Sequence, residues 1–368
     1  MHRLARRRFL QSTAALAAAP FLPAAPSKES FSFVLLGDLH YDKLDHHHMP
    51  WLEKNKAGDL SQIKNYSRIT ADITPRLFDA VKQSIAATHA SFVLQVGDLV
   101  EGLCGTEEHA TRQDSEALAF VESGKLGVPF YFTKGNHDVT GDGATDAFKT
   151  VFHPFLAKQT KQKIDRACYT IEHGDALFCF FDAYDKESLA WLEAALGKRT
   201  ARHCFVVIHP PVVPYGARAT WNLYSSDRDK TQREKLLTLL GKQNAIVLGG
   251  HIHRYNTLVR ETPGGGRFTQ LAISSIVNSA DVKPDTELHG IAQYNGDQIN
   301  VEPKHSPETA SERRAVYAVE APFVKAFEYA DLPGHAVVTV GGTSVTVTMH
   351  RGITREIWKQ VDLTKLVG

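Results

Sequence analysis

Cysteine is scarce in this chain. Only Cys104, Cys168, Cys179 and Cys204 occur among 368 residues, and none stands at metal-type spacing. A thiolate metal centre and a nucleophilic thiol are both the lesser readings. Cys168 and Cys179 flank a His173-Gly174 turn on a predicted hairpin and would face each other across a two-residue turn. Ordinary core cysteines are favoured there over a bridge, since small apolar cysteines inside strands are common. An excess of one charge is missing too: 42 Lys and Arg stand against 41 Asp and Glu, a net of +1. That balance is no footprint for general polyanion binding, so nucleic acid is not expected as a substrate. Internal repeats and low-complexity tracts are absent, and the apolar stretch Leu10–Leu22 is short of the about 20 residues of a membrane span. What is present is a hydrophobic content of 43%, enough for one large domain or a domain with an appendage.

The start, MHRLARRRFLQSTAALAAAPFLPAAPS, has a basic region, an alanine-rich apolar stretch and small residues near its end. That is the plan of a cleavable export signal. Arg6 and Arg7, followed by Arg8, Phe9 and Leu10, resemble the twin-arginine motif, with Ala5 in place of the usual Ser/Thr and Gln11 in place of the common Lys. The expectation is a signal over residues 1–27, cleaved between Ala17 and Ser27, with the export machinery as partner and a periplasmic or secreted product. No stable membrane span is expected after cleavage. Losing residues 1–25 removes four arginines and no acids, leaving 38 basic against 41 acidic residues, a net of about −3.

Five short segments each end an apolar run on Asp, His or Asn: FVLLGDLH, FVLQVGDL, FYFTKGNHD, FVVIHPP and IVLGGHIH. Strands buried on both faces make such near-continuous apolar runs, and ligands gather beyond their carboxyl ends. The side chains delivered are Asp38, His40, Asp98, Asn136, His137, His209, His251 and His253. In Asp38/His40 and His251/His253 the spacing is two, and residues i and i+2 of an extended segment point to one side. A single GD after a strand is usually a turn and a single strand-end His usually structural. Five together, with an HxH pair, describe one polynuclear metal site.

The series GDLH, GDLV, GNHD, an isolated His after an apolar strand, and GHIH resembles the calcineurin-like metallophosphoesterase superfamily, over Asp38 to His253. The resemblance implies a two-sheet β-sandwich flanked by helices, α/β in class, and a dinuclear hydrolase. It implies Asp38, His40 and His253 as ligands of one metal, Asn136, His209 and His251 as ligands of the second, and Asp98 as the bridging carboxylate. His137 resembles the superfamily's unligated catalytic histidine, the general acid. Glu101 stands where some relatives carry an Asp that orients this histidine, and Gly102 where the protein-phosphatase branch carries a phosphate-binding Arg, which argues against that branch.

The donor types suit the chemistry. Two divalent ions about 3.5 to 4 Å apart clamp the attacking and leaving oxygens of an in-line displacement and turn a bridging water into hydroxide near neutrality. Mixed nitrogen and oxygen donors without thiolate favour Fe, Mn, Zn or Co over Ca or a soft-metal site. A histidine at position 137 suits proton delivery to the departing alkoxide; the alternative is a histidine that positions a neighbour.

Patterning predicts strand 31–37, helix 76–89, strand 91–97, helix 112–126, strand 128–134, helix 144–157, hairpin 167–183, helix 186–197, strand 203–209, helix 230–241 and strand 245–250. Mostly strands follow, including a hairpin over 336–349 around Gly341-Gly342, and 310–330 reads as helix or strand. The expected division is a catalytic domain over 28–302 and a β-rich extension over 303–368 that extends one sheet. Residues 41–75 read as a long polar connection holding Asp42, a solvated His46–His48 run, Trp51, Lys54 and Tyr66; a second connection, 211–229, holds Tyr215, Arg218, Trp221, Asn222 and Tyr224. Both leave ligand-bearing strands and are expected to rim the metals, with Lys54, Arg218 and Tyr224 meeting a small phosphorylated substrate. Three functions fit: hydrolysis of a small phosphomonoester or phosphodiester, which is favoured; cleavage of a pyrophosphate linkage in a nucleotide or nucleotide sugar; and noncatalytic binding on the same fold.

Overall fold

Strand β1 (Phe31–Leu36) starts where the apolar run starts, and five of its six residues are buried. A computed structural model describes residues 30–216, 218–280, 282–295 and 309–367. The predicted export signal lies outside the described residues.

After β1 the chain turns helical sooner than its polarity suggests. Helices α1 (Met49–Asn55) and α2 (Leu60–Asp72) occupy much of the expected 41–75 connection. Ile63, Tyr66 and Ile69 recur at helical spacing on α2 and are buried, so a 3.6-residue period was present within a polar composition. Helix α3 (Thr74–Thr88) carries Pro75 in its first turn, where the missing N–H has no intrahelical partner to lose. It buries Leu77, Phe78, Val81 and Ile85, each worth about 2 kcal/mol out of water. It ends at His89 in the left-handed region.

The remaining elements are β2 (Val93–Gln95), α4 (Glu107–Ser123), β3 (Phe130–Phe132), α5 (Ala144–Ala147), a π-turn over Phe148–Phe152, and α6 (His153–Thr160). The hairpin β4 (Tyr169–His173) and β5 (Ala176–Phe181) follows, then α7 (Ser188–Gly197), β6 (His203–Ile208), α8 (Lys230–Lys242) and β7 (Ile246–Gly249). Antiparallel strands β8 (Tyr255–Glu261), β9 (Arg267–Ala272) and β10 (Glu287–His289) lead to α9 (Ala310–Glu320), β11 (Val324–Ala330), β12 (Gly334–Gly341), β13 (Ser344–Arg351), β14 (Ile357–Asp362) and α10 (Leu363–Val367).

Two mixed sheets result. One runs β14-β13-β12-β1-β2-β3 and the other β10-β11-β8-β9-β7-β6-β5-β4. Aromatic side chains fill the space between them: the Phe33 ring meets Phe178 edge-on at 5.3 Å and Phe205 at 5.8 Å, across the sheets. Helix α3 covers the outer face of the first sheet at β1 and β12, while α7 and α8 cover β5 and β9 of the second. The C-terminal strands enter both sheets, not one: β12 pairs antiparallel with β1, and β11 pairs with β8.

In the hairpin, His173 pairs with Ala176, so the two-residue turn is Gly174-Asp175. Cys179 therefore lies opposite Thr170, and all four cysteines are free and buried. His203 is the sequence neighbour of Cys204, yet neighbours in a strand face opposite sides, and His203 Nε2 donates to the Gly342 carbonyl at 2.9 Å.

Candidate metal centre

Each ligand-bearing residue follows the end of a parallel strand, and the sheets come together there. Asp38 forms an isolated bridge with Ser274, which follows β9 of the other sheet, and Gly37 N donates to Ser275 Oγ at 2.9 Å. Sheet one delivers Asp38, His40, Asp98, Asn136 and His137; sheet two delivers His209, His251 and His253.

The extended geometry expected for the two i, i+2 pairs is not what brings them together. His40, Asp98, His251 and His253 all take positive φ, at 46°, 55°, 70° and 58°, so each chain curls over the sheet edge. Left-handed backbone in non-glycine residues costs energy and clusters at functional sites. The adjoining glycines are needed for space. A Cβ on Gly135 would stand 2.1 Å from Asp98 Oδ1, and one on Gly250 would stand 2.5 Å from Asp38 Oδ2.

Among the described residues the donors form three groups: two share Asp98, and a third, His40, Glu101 and His137, shares His40 with the first. Asp38, His40, Asp98 and His253 offer atoms within reach of a common ion, as do Asp98, His209 and His251. Asp98 Oδ2 lies 3.0 Å from His209 Nε2 and 3.6 Å from His40 Nε2. Asn136 Oδ1 joins the second group, 3.2 Å from His209 Nε2.

Ring tautomers decide what these contacts are. His209 Nδ1 donates to the Val96 carbonyl at 2.9 Å, so Nε2 is the nitrogen turned toward Asp98 and Asn136. His40 Nδ1 donates to Glu101 Oε2 at 2.5 Å, which leaves its Nε2 facing His253 Nε2 at 3.1 Å. Asp38 Oδ2 and Asp98 Oδ2 are buried without a hydrogen-bond partner. Imidazole nitrogens ringed around buried carboxylate oxygens call for positive charge at their centre, carried by protons on the rings or by cations. The residues present fit a pair of divalent ions.

Electrostatics agree. Burial opposes a charged His40, yet the Glu101 carboxylate and the buried aspartates hold it up at about 9. His209 is likewise raised to about 9 against burial, by Asp98 foremost. Positive charge is thus demanded on the carboxylate side. His251 is pushed down to about 3 by burial and by His209, and His253 well below its usual range by burial and His40, so both present neutral nitrogen donors.

A sequence model described as calcineurin-like phosphoesterase matches residues 31–255, more than half of the chain and every strand end of this site. The chain belongs to that family. No curated protein gives a significant match. Solved structures share the calcineurin-like phosphoesterase fold at low identity. A purple acid phosphatase from yellow lupin seeds aligns with a TM-score of 0.54 and 12% identity over 91% of this chain; this chain spans only 54% of the lupin protein. A dimetal phosphatase from Danio rerio gives 0.51 and 13% over 90% of this chain and 98% of its own. GAP50, the anchor in the inner membrane complex of Plasmodium, gives 0.50 and 12% over 91% and 88%.

In this calcineurin-like phosphoesterase the His137 ring is held by the loop that carries Glu101. Its Nδ1 donates to the Glu101 carbonyl at 2.7 Å, while the Glu101 carboxylate lies 3.3 Å away and spans His40 instead. The longer arm of Glu thus serves the His40 ring, with Gln62 Nε2 donating to its other oxygen at 2.9 Å. Gly102, at φ 69°, could carry no side chain, since a Cβ would meet the His137 carbonyl at 2.3 Å.

A cavity of about 750 Å³ opens over the ligands. Arg218 and Trp221 line it, and Trp221 lies 5.4 Å from the His251 ring. The first wall comes from α2, through Ser61, Gln62, Asn65 and Tyr66. Lys54 sits on the exposed side of α1, and Tyr224 packs beside the outer core of sheet two; neither lines the cavity. His46 and His47 are buried, not solvated, because carboxylates meet them: His47 Nε2 donates to Asp42 at 2.8 Å and His46 Nε2 lies 3.1 Å from Glu116.

Three residues went unassigned from sequence. Asp138 accepts from the backbone N–H of Asp98, Val100 and Gly135 at 3.1, 3.1 and 2.7 Å, tying two ligand loops together. It is the last letter of GNHD, which was the signal for it. Gln95 ties the β1 and β2 ends, its Nε2 donating to the Gly37 and Gly97 carbonyls. Gln62 was hidden by reading α2 as a connection.

Proposed function

We propose that this chain is a dinuclear metal-dependent phosphoesterase acting on a small phosphomonoester or phosphodiester. The observation that carries the reading is Asp98, buried and shared by two of the donor groups, one from each side of the site. Asp38, His40 and His253 would hold one ion, Asn136, His209 and His251 the other, with Asp98 between. When bound, such ions screen phosphoryl charge and lower the pKa of water to near neutrality.

The chain's own groups supply the rest. A water oxygen, giving up a proton to bulk solvent, bonds to phosphorus as the bond to the leaving oxygen breaks, and the leaving oxygen takes a proton from His137, which solvent restores. With Nδ1 fixed on the Glu101 carbonyl, His137 has Nε2 for that proton. The Tyr66 ring stacks on His40 at 4.5 Å, and the residue is part of the cavity wall. Burial and the nearby carboxylates push that phenol well above its usual range, so it stays a donor and suits a phosphoryl oxygen. The Arg218 guanidinium at the rim meets remaining phosphate charge. The leader motif supports action in the periplasm or outside the cell.

The test is turnover of nitrophenyl phosphate mono- and diesters by full-length protein loaded with Mn, Fe or Zn. Saturable hydrolysis abolished by a chelator is expected. A fully loaded protein that turns over no ester would instead favour a binding role.

A further inference from the structure

A phosphate group fills only a small part of a cavity of about 750 Å³, so the walls were shaped by something larger. Their chemistry is unusually even. Away from the ligands, the cations Arg218, Arg254 and Lys283 are matched by Asp59, Asp285 and Asp331. A net-neutral lining does not suit a polyphosphate or another strong polyanion. The lining is more polar than apolar, which suits a polar organic group better than an alkyl or lipid chain.

Between those charges lies a shelf of neutral side chains that donate and accept. Gln62 and Asn65, three apart on α2, line the cavity with Asn278, and Asn65 Nδ2 donates to Asn278 Oδ1 at 3.0 Å, while Gln62, its Nε2 held by Glu101, keeps its oxygen free for an incoming donor. Arg68 donates to both Asn65 Oδ1 and the Asn278 carbonyl, at 3.0 and 3.2 Å, fixing the pair. A carboxamide offers an acceptor and a two-proton donor side by side, which matches a hydroxyl, itself donor and acceptor. The opposite wall is Trp221, whose indole carries the Arg218 guanidinium at 4.3 Å and tilts over His251. With a guanidinium over it, the indole bounds the cavity as a wall and is not an open platform for a flat base.

Resting on the phosphoesterase reading, we infer that the ester's organic group is an uncharged polyol or sugar, held between Trp221 and the Gln62–Asn65–Asn278 shelf. The experiment compares, on manganese-loaded full-length protein, kcat/KM for glycerol and hexose phosphates, for alkyl phosphates of matched length, and for nitrophenyl phosphate. The polyol esters should exceed the alkyl esters by about tenfold or more, the worth of one or two well-placed hydrogen bonds. In Asn278→Leu, at an exposed position where folding is not at risk, that ratio should fall toward one through a rise in KM for the polyol esters. Equal or better turnover of the alkyl esters overturns the inference while leaving the phosphoesterase reading intact. A ratio unchanged in Asn278→Leu also overturns it. Failure on every ester, nitrophenyl phosphate included, overturns both.

Discussion

Asp98 is placed by its backbone before any ion is considered. Its N–H is held by Asp138, its φ is 55°, and its Oδ1 accepts from the His137 N–H at 2.8 Å, which leaves Oδ2 to point at both donor groups that share it. The same loop sets the His137 ring, through the Glu101 carbonyl that accepts from its Nδ1. His137→Ala should therefore lower kcat for nitrophenyl phosphate by roughly 10²–10⁴ while metal content, read by elemental analysis, stays at the wild-type level. Loss of metal in that variant would sink the assignment of His137 as acid. Tyr66→Phe keeps the ring stacked on His40 and removes only the hydroxyl, so kcat/KM should fall by about 5- to 30-fold with metal content unaltered. An unchanged kcat/KM would mean that the phenol does not touch the substrate.

At the scale of elements, the strand ends were readable because each is a local event: an apolar run, a glycine, a donor. The glycines carry a sharper demand than a turn does. Gly250→Ala would push a Cβ to 2.5 Å from Asp38 Oδ2, so its expected outcome is a folded protein by circular dichroism with strongly weakened metal binding. Normal metal affinity in Gly250→Ala would show that the close approach of strand and carboxylate is not needed. What the sequence hid at this scale is α2. Lys64, Asn65 and Arg68 gave its stretch the look of a polar connection, and the buried Ile63, Tyr66 and Ile69 repeat was passed over. Gln62 and the cavity's first wall lie on that helix, whereas the polarity of the stretch points to Lys54, which is exposed on α1. The His46–His48 run misled for a related reason: only pairing with Asp42 and Glu116, one of them far along the chain, buries two of those rings.

The whole molecule shows what no local pattern carries. The pairing of β12 with β1 joins residues near 335 to residues near 36, and only that pairing makes the C-terminal strands part of the first sheet. On the other side of the molecule, Glu320 of α9 is clamped by Arg233 Nη2 of α8 at 2.6 Å and by Arg260 Nε of β8 at 2.8 Å. Against its burial, the two guanidiniums hold this carboxyl below its usual range. A carboxyl lowered by folding contributes stability that is present above its unfolded value of about 4.3 and is lost as pH falls through the folded value. Glu320→Gln should thus be less stable by about 3 kcal/mol in urea unfolding at pH 7, with the gap to wild type closing below about pH 4. A gap that does not change with pH would mean that the cluster acts by packing alone. The metal centre is itself a property of the whole molecule, since one sheet supplies Asp38, His40, Asp98 and Asn136 and the other supplies His209, His251 and His253. Ions bound there should raise Tm, because the unfolded chain has no such site. The most direct test of the account is calorimetric titration of metal-stripped protein with Mn, in wild type and Asp98→Ala. Two ions per wild-type chain and loss of both in the variant are predicted. A single ion in wild type, or two retained in Asp98→Ala, would contradict it.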